Sequence, residues 1–188
     1  MIMFILQKFN SESFLEFAAA LERSLARSSA PFVILVDSYG GDAYNSIGMY
    51  DLLMSAKRRG KTIVTCCASK AMSAGLLIFS AGDYRFMTKH ATLMLHKASG
   101  GTRGHVEDIE VDTTELKRIS DIYLNLIGNA FKGGVVKMQK YITKNARDMY
   151  INQAEALRLG VANRKGMPAF GAETIMQCES DATLLEKE

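Results

Sequence analysis

The run Phe32-Val33-Ile34-Leu35-Val36 carries no polar side chain, so as a strand it is of the kind buried on both faces. A chain holding such a strand has to supply covering elements, and the segments around it supply helices. Residues 1–6 read as another apolar strand. Ser11 is placed to cap a helix with Phe14, Phe17, Ala18, Leu21 and Leu25 on one stripe, and Pro31 ends that unit. After the 32–36 strand, Ser38-Tyr39-Gly40-Gly41-Asp42 makes a turn. A helix with Ile47, Tyr50, Leu53 and Met54 inward follows, closed by Gly60. A third apolar strand, 62–67, leads through a turn at 69–73 into an apolar helix starting Leu76-Leu77-Ile78-Phe79. This βαβαβα rhythm predicts an α/β fold with a parallel sheet and helices on both sides.

Beyond Gly82-Asp83 the pattern predicts short strands at 84–87 and 91–95, the second ending at His96. A glycine-rich loop, Ser99 to Gly104, precedes a long amphipathic segment of roughly 105–131, on which Ile109, Leu116, Ile119, Ile122, Tyr123 and Leu126 recur. A short helix at 135–142, a turn at 145–148, a strand at 149–151 and a helix capped by Asn152 and stopped by Gly160 complete the pattern. One domain is expected over 1–165, with 166–188 as a tail that shows no period. At 188 residues the chain is long enough for an ample core.

Composition narrows the function. The net charge is only +3, and the one basic cluster, Lys57-Arg58-Arg59, falls where a helix ends, so nucleic-acid binding is not indicated. Three cysteines, two of them adjacent in a strand, do not form a disulfide framework. Three histidines without ligand spacing argue against a metal site, and no metal or organic cofactor is expected. No apolar run approaches membrane-spanning length, the N-terminus lacks signal-peptide character, and a cytoplasmic location is expected.

The chemistry gathers at strand ends. Ser73 opens a helix after a strand, where the unpaired N–H groups of the first turn can stabilise an oxyanion. Most serines in such a place are helix caps. Yet His96 ends a later strand and Asp148 precedes another, and in parallel sheets such residues converge at the C-terminal edge. Together they would supply nucleophile, general base and orienting carboxylate. Gly40-Gly41, after yet another strand, offers unobstructed N–H groups beside that of Ala74.

This pattern resembles the proteolytic subunit of the Clp protease, within the ClpP/crotonase fold group of repeated β-β-α units. The similarity lies in Ser38-Tyr39-Gly40-Gly41, in Ser69-Lys70-Ala71-Met72-Ser73-Ala74-Gly75, in Ser80-Ala81-Gly82 with Arg85-Phe86, and in Met94-Leu95-His96. It continues in Gly100-Gly101-Thr102-Arg103-Gly104 with Asp108-Ile109-Glu110, and in Asp148 to Ala156 followed by Gly160. It spans roughly 30–165. The resemblance implies a serine endopeptidase with Ser73 as nucleophile, His96 as base, Asp148 as orienter, and Gly41 and Ala74 as oxyanion donors. It also implies substrate-binding roles for Gly40 and for Ser99, Gly100, Gly101 and Thr102, the last four through β-pairing with a peptide. A projecting handle of about 97–131 and a homo-oligomer of stacked heptameric rings belong to the same implication, with peptides or unfolded proteins as substrates.

The departures are local. The family's axial loop and first helix have no counterpart before the strand that begins near Met1. The resemblance therefore carries over the peptidase and its rings more fully than a Clp-type AAA+ unfoldase partner. Tyr39 stands where the family has proline, which removes a φ lock. Ser69 replaces a glycine, and Lys97 a neutral residue beside His96. Lys70 is three residues from Ser73, on the wrong side of the turn for a Ser–Lys mechanism. His90 and His105 read as surface residues. Two other classes share the fold: a catalytically silent Clp-like subunit, and a crotonase-type acyl-CoA enzyme with similar oxyanion glycines but no serine nucleophile in this turn.

Overall fold

The computed structural model describes residues 2–27, 30–144, 148–168 and 175–177. The elements run β1 (Ile2–Leu6), α1 (Ser11–Arg27), β2 (Phe32–Ser38), α2 (Ala43–Arg58), β3 (Ile63–Met72), α3 (Ala74–Ser80), β4 (Tyr84–Met87), β5 (Thr92–His96), α4 (Val106–Gly128), α5 (Gly134–Lys144), β6 (Asp148–Ile151), α6 (Gln153–Leu159), β7 (Arg164–Lys165) and β8 (Ile175–Gln177). The strands form one sheet in the order β6-β5-β3-β2-β1-β8, with β4 also on β3 and β7 on β4. Every pairing is parallel except β5–β6.

The strand buried on both faces behaves as its composition demands. Phe32, Ile34 and Val36 point into the main core with Phe17, Leu53, Leu77 and Phe79, and that core takes in residues from all six helices. Val33 points the other way, where it packs with Val64 and Cys66 against Leu35, Phe86 and Met167. That second cluster contains no helical residue: β4 and the segment after β7, rather than helices, cover this face among the described residues. Cys66 and Cys67 fall into different clusters, as strand neighbours should.

β3 sets the architecture of the site. It is ten residues long and changes partner midway, pairing Val64–Cys67 with β4 and Lys70–Met72 with β5. Residues 69–72, expected as a turn, are therefore strand, and the chain reverses only at Ser73. Three further expectations are corrected. Asn10, not Ser11, caps α1: its carboxamide oxygen accepts the Ser13 N–H at 2.8 Å, while the Ser13 hydroxyl accepts the Asn10 N–H. Asp148 is the first residue of a strand, paired through the ladder, and not a turn residue; the rest of the turn expected at 145–148 lies outside the described residues. The tail over 166–188, which shows no period, supplies β8, parallel to β1, while β7 pairs with β4 just before it.

Candidate active site

Ser73 sits between β3 and α3 with φ +51° and ψ −122°, the one non-glycine residue with positive φ among the described residues. A side chain in that region costs roughly 1–3 kcal/mol unless the surroundings enforce it. Here they do: the Ser73 N–H donates to the Met94 carbonyl of β5 at 2.9 Å, and the Ser73 carbonyl accepts the N–H groups of Leu76 and Leu77 in α3. Its hydroxyl makes no helix-capping bond. It lies instead 2.7 Å from His96 Nε2. The same pairing of β3 with β5 that fixes the Ser73 backbone thus brings the imidazole to the hydroxyl.

His96 is held by the end of β5, and its cross-strand partner in the antiparallel β5–β6 ladder is Asp148. Residues directly opposite in such a ladder project to one face of the sheet. The two side chains therefore share a face, but no hydrogen bond joins the carboxylate to the imidazole in the single subunit, and Asp148 is exposed. Lys97 points to solvent, as do His90 and His105. Lys70 is turned away from Ser73: it pairs with Asp37 at 2.6 Å, a bond that raises its pKa, and lies 4.5 Å over the Tyr39 ring. That clamp ties Tyr39 to β3 where the family's turn has proline.

The glycine turn packs hard against the serine. The Ser38 hydroxyl donates to the Gln7 carbonyl and accepts the Gly40 N–H at 3.0 Å. Gly40 has φ +114°, and a methyl group there would meet Ser73 Cβ at 2.8 Å. Gly41, at φ +154°, lies as close to Phe9, whose carbonyl accepts the Asp42 N–H at 3.0 Å. Neither the Gly41 nor the Ala74 N–H donates to another group among the described residues. Both residues line a cavity of about 470 Å³ together with Ser73, His96, Ser99, Gly100, Gly101 and Thr102. The backbone of 99–102 makes no main-chain hydrogen bond with the described residues, and Thr102 is anchored through its hydroxyl to Asp112.

The far wall of the cavity comes from residues that the sequence does not mark as part of a site. α4 contributes Leu116, Ile119 and Tyr123. Their spacing of three and four marks them as one helical face, which is legible in the sequence, but nothing there distinguishes a cavity wall from core. At the rim, Glu115 takes a bidentate pair of bonds from Arg118 at 2.6 and 2.7 Å and another from the Tyr44 hydroxyl at 2.8 Å; Arg118, then Tyr44, hold its carboxyl down to about 2. No His, Cys, Asp or Glu cluster suited to a metal ion occurs among the described residues.

With this geometry in hand, comparison with known proteins is decisive for the family. The Clp protease family profile matches residues 1–165. The chain belongs to the Clp protease family. Its similarity reaches further toward the N-terminus than the motifs from residue 30 onward suggest, because β1 and α1 are included. Among curated relatives, the ATP-dependent Clp protease proteolytic subunit of Deinococcus radiodurans is 26% identical over 159 residues, covering 77% of this chain and 75% of that protein. The subunit of the same name from Dehalococcoides mccartyi is 30% identical over 128 residues, covering 68% and 62%. Proteolytic subunit 3 of a Synechococcus species is 28% identical over 140 residues, covering 73% and 67%. No helix of the described residues in this Clp family chain is long and apolar enough to cross a membrane.

Proposed function

We propose that this chain is a serine endopeptidase of the ClpP type that hydrolyses peptides or unfolded proteins through an acyl-enzyme, inside a chamber built from copies of itself. The observation that carries the reading is the 2.7 Å approach of His96 Nε2 to the hydroxyl of a backbone-strained Ser73. A neutral imidazole accepts the Ser73 proton as Oγ bonds to the scissile carbonyl carbon. The oxyanion that forms is met by the Gly41 and Ala74 N–H groups, which are free to donate. His96 passes its proton to the leaving amine. It then takes one from water, which hydrolyses the ester and restores Ser73. Asp148 orients the imidazole and stabilises its cation, and the peptide runs along 99–102 as an added strand.

The chamber reading is supported by α4. Val106 and Val111 at its start are 67% and 68% exposed and Ile109 is also exposed, so the first half of this helix presents apolar groups with no partner in the subunit. The test is hydrolysis of an internally quenched peptide by the assembled chain. Ser73→Ala and His96→Ala should each lower kcat/KM at least about 1,000-fold with an unchanged melting temperature. Undiminished hydrolysis by Ser73→Ala rejects the proposal. A silent assembly subunit is the second reading, and the absent Asp148–His96 bond favours it. It requires no hydrolysis in any assembly state.

A further inference from the structure

Tyr123 is a polar group that the proposed reaction does not use. It sits on the α4 face that walls the cavity, 4% exposed, with its ring packed in the main core. Its hydroxyl is the one buried side-chain polar atom among the described residues with no hydrogen-bond partner. Burial pushes the phenol above its usual pKa, and the neighbouring Ser73 hydroxyl offsets this only in part. Ser73 Oγ itself is engaged with His96.

An orphaned buried hydroxyl is a standing cost that phenylalanine would avoid while filling the same space. It is explained if a ligand completes it. The surroundings indicate which ligand. The cavity that Tyr123 lines is mixed: Ala74, Ala98, Leu116 and Ile119 are apolar, Ser73 and His96 carry the chemistry, and Asp42, Asp112 and Glu115 are its carboxylates. A peptide attacked by Ser73 has to seat the side chain of its acylated residue within a few ångström of that serine. Those carboxylates are already engaged, Asp42 by Asn45, Asp112 by Thr102 and Glu115 by Arg118 and Tyr44, so a charged side chain there would be desolvated without a free counter-ion. An amide end, with both donor and acceptor, matches a phenol.

We propose that Tyr123 is a specificity-determining residue. Its hydroxyl hydrogen-bonds the amide end of the substrate side chain seated beside Ser73, so the enzyme favours asparagine or glutamine over aliphatic side chains of the same shape at the acylated residue. This rests on the serine-peptidase reading given above.

The test compares two internally quenched peptides that differ only in carrying asparagine or leucine before the scissile bond, with the full assembled chain and its Tyr123→Phe variant. Wild type should prefer the asparagine peptide by about tenfold in kcat/KM, and Tyr123→Phe should bring that ratio to about one. The variant's melting temperature should not fall, since the hydroxyl bonds nothing in the free fold. An unchanged ratio overturns the inference. So does an equal loss on both peptides, which would mean that the hydroxyl serves Ser73, and so does a lowered melting temperature, which would mean that it has a partner in the free fold. Fluorophosphonate labelling of wild-type Ser73 separates the two claims. A labelled enzyme with an unaltered ratio rejects only the role of Tyr123, whereas an unlabelled one rejects the peptidase reading and this inference with it.

Discussion

At position 40 a single methyl group decides whether the nucleophile fits. It would stand 2.8 Å from Ser73 Cβ, at a backbone φ of +114° that L side chains rarely adopt. Gly40→Ala should therefore displace Ser73 or the turn, lowering kcat/KM by about 100-fold or more and costing roughly 1–3 kcal/mol of stability. Steady-state kinetics and urea melts measure both; full activity would show that the turn does not abut the serine in solution. Ser73 pays the opposite way, holding a strained backbone for the sake of its hydroxyl. Its position at a strand–helix junction was legible in the sequence, as was the order Ser73, His96, Asp148. The strain was not, because φ at residue 73 is imposed by the bond to Met94 in a strand twenty residues on. The partnerless hydroxyl of Tyr123 was equally hidden, since periodicity reports which face a residue occupies and not whether its polar tip finds a partner.

Among the elements, β3 joins fold to site, and its interior is chemically closed. Burial, with smaller contributions from Cys67 on Cys66 and from Asp37 on Cys67, pushes both thiols up to about 12. An unfolded thiol ionises near ~8.5. The native state thus keeps protons that the unfolded state loses above that value. Stability from this source is intact below about pH 8.5 and declines as pH rises toward 12. Urea midpoints should fall between pH 8 and 10, and iodoacetamide at pH 8.5 should spare Cys66 and Cys67 until the chain unfolds; rapid native alkylation would contradict this. Arg85 on β4 ties the C-terminal part of the domain to the sheet, donating to the carbonyls of Gly82, Gly160 and Val161 at 2.7–3.0 Å. Arg85→Met orphans three carbonyls and should cost about 2–4 kcal/mol in a urea melt; a loss below about 0.5 kcal/mol would show those bonds to be replaceable by water. The first three strands and the helices they alternate with were readable because each carries its own period and punctuation. β7 and β8 were not, being two and three residues long and defined by pairing with distant strands. Asp148 has the sequence character of a turn residue for the same reason: its strand character comes from His96 across the ladder.

At the scale of the whole molecule, the first half of α4 leaves Val106, Ile109 and Val111 exposed in the subunit. Under the proposed ring assembly its apolar side chains would be covered by another copy, and Val111→Glu should shift the oligomer toward smaller species in light scattering without lowering subunit helicity. An unchanged mass would place the assembly surface elsewhere. The proposed assembly would also have to bring the Asp148 carboxylate to the imidazole, because the single subunit pairs their backbones without joining the side chains. The central claim, an activated serine at position 73, is tested most directly by intact mass spectrometry after exposure to a fluorophosphonate, on wild type and on Ser73→Ala, across size-separated assembly states. The expected result is one adduct on wild type in the assembled fraction and none on the variant. No adduct in any assembly state, or an adduct that survives Ser73→Ala, would contradict it.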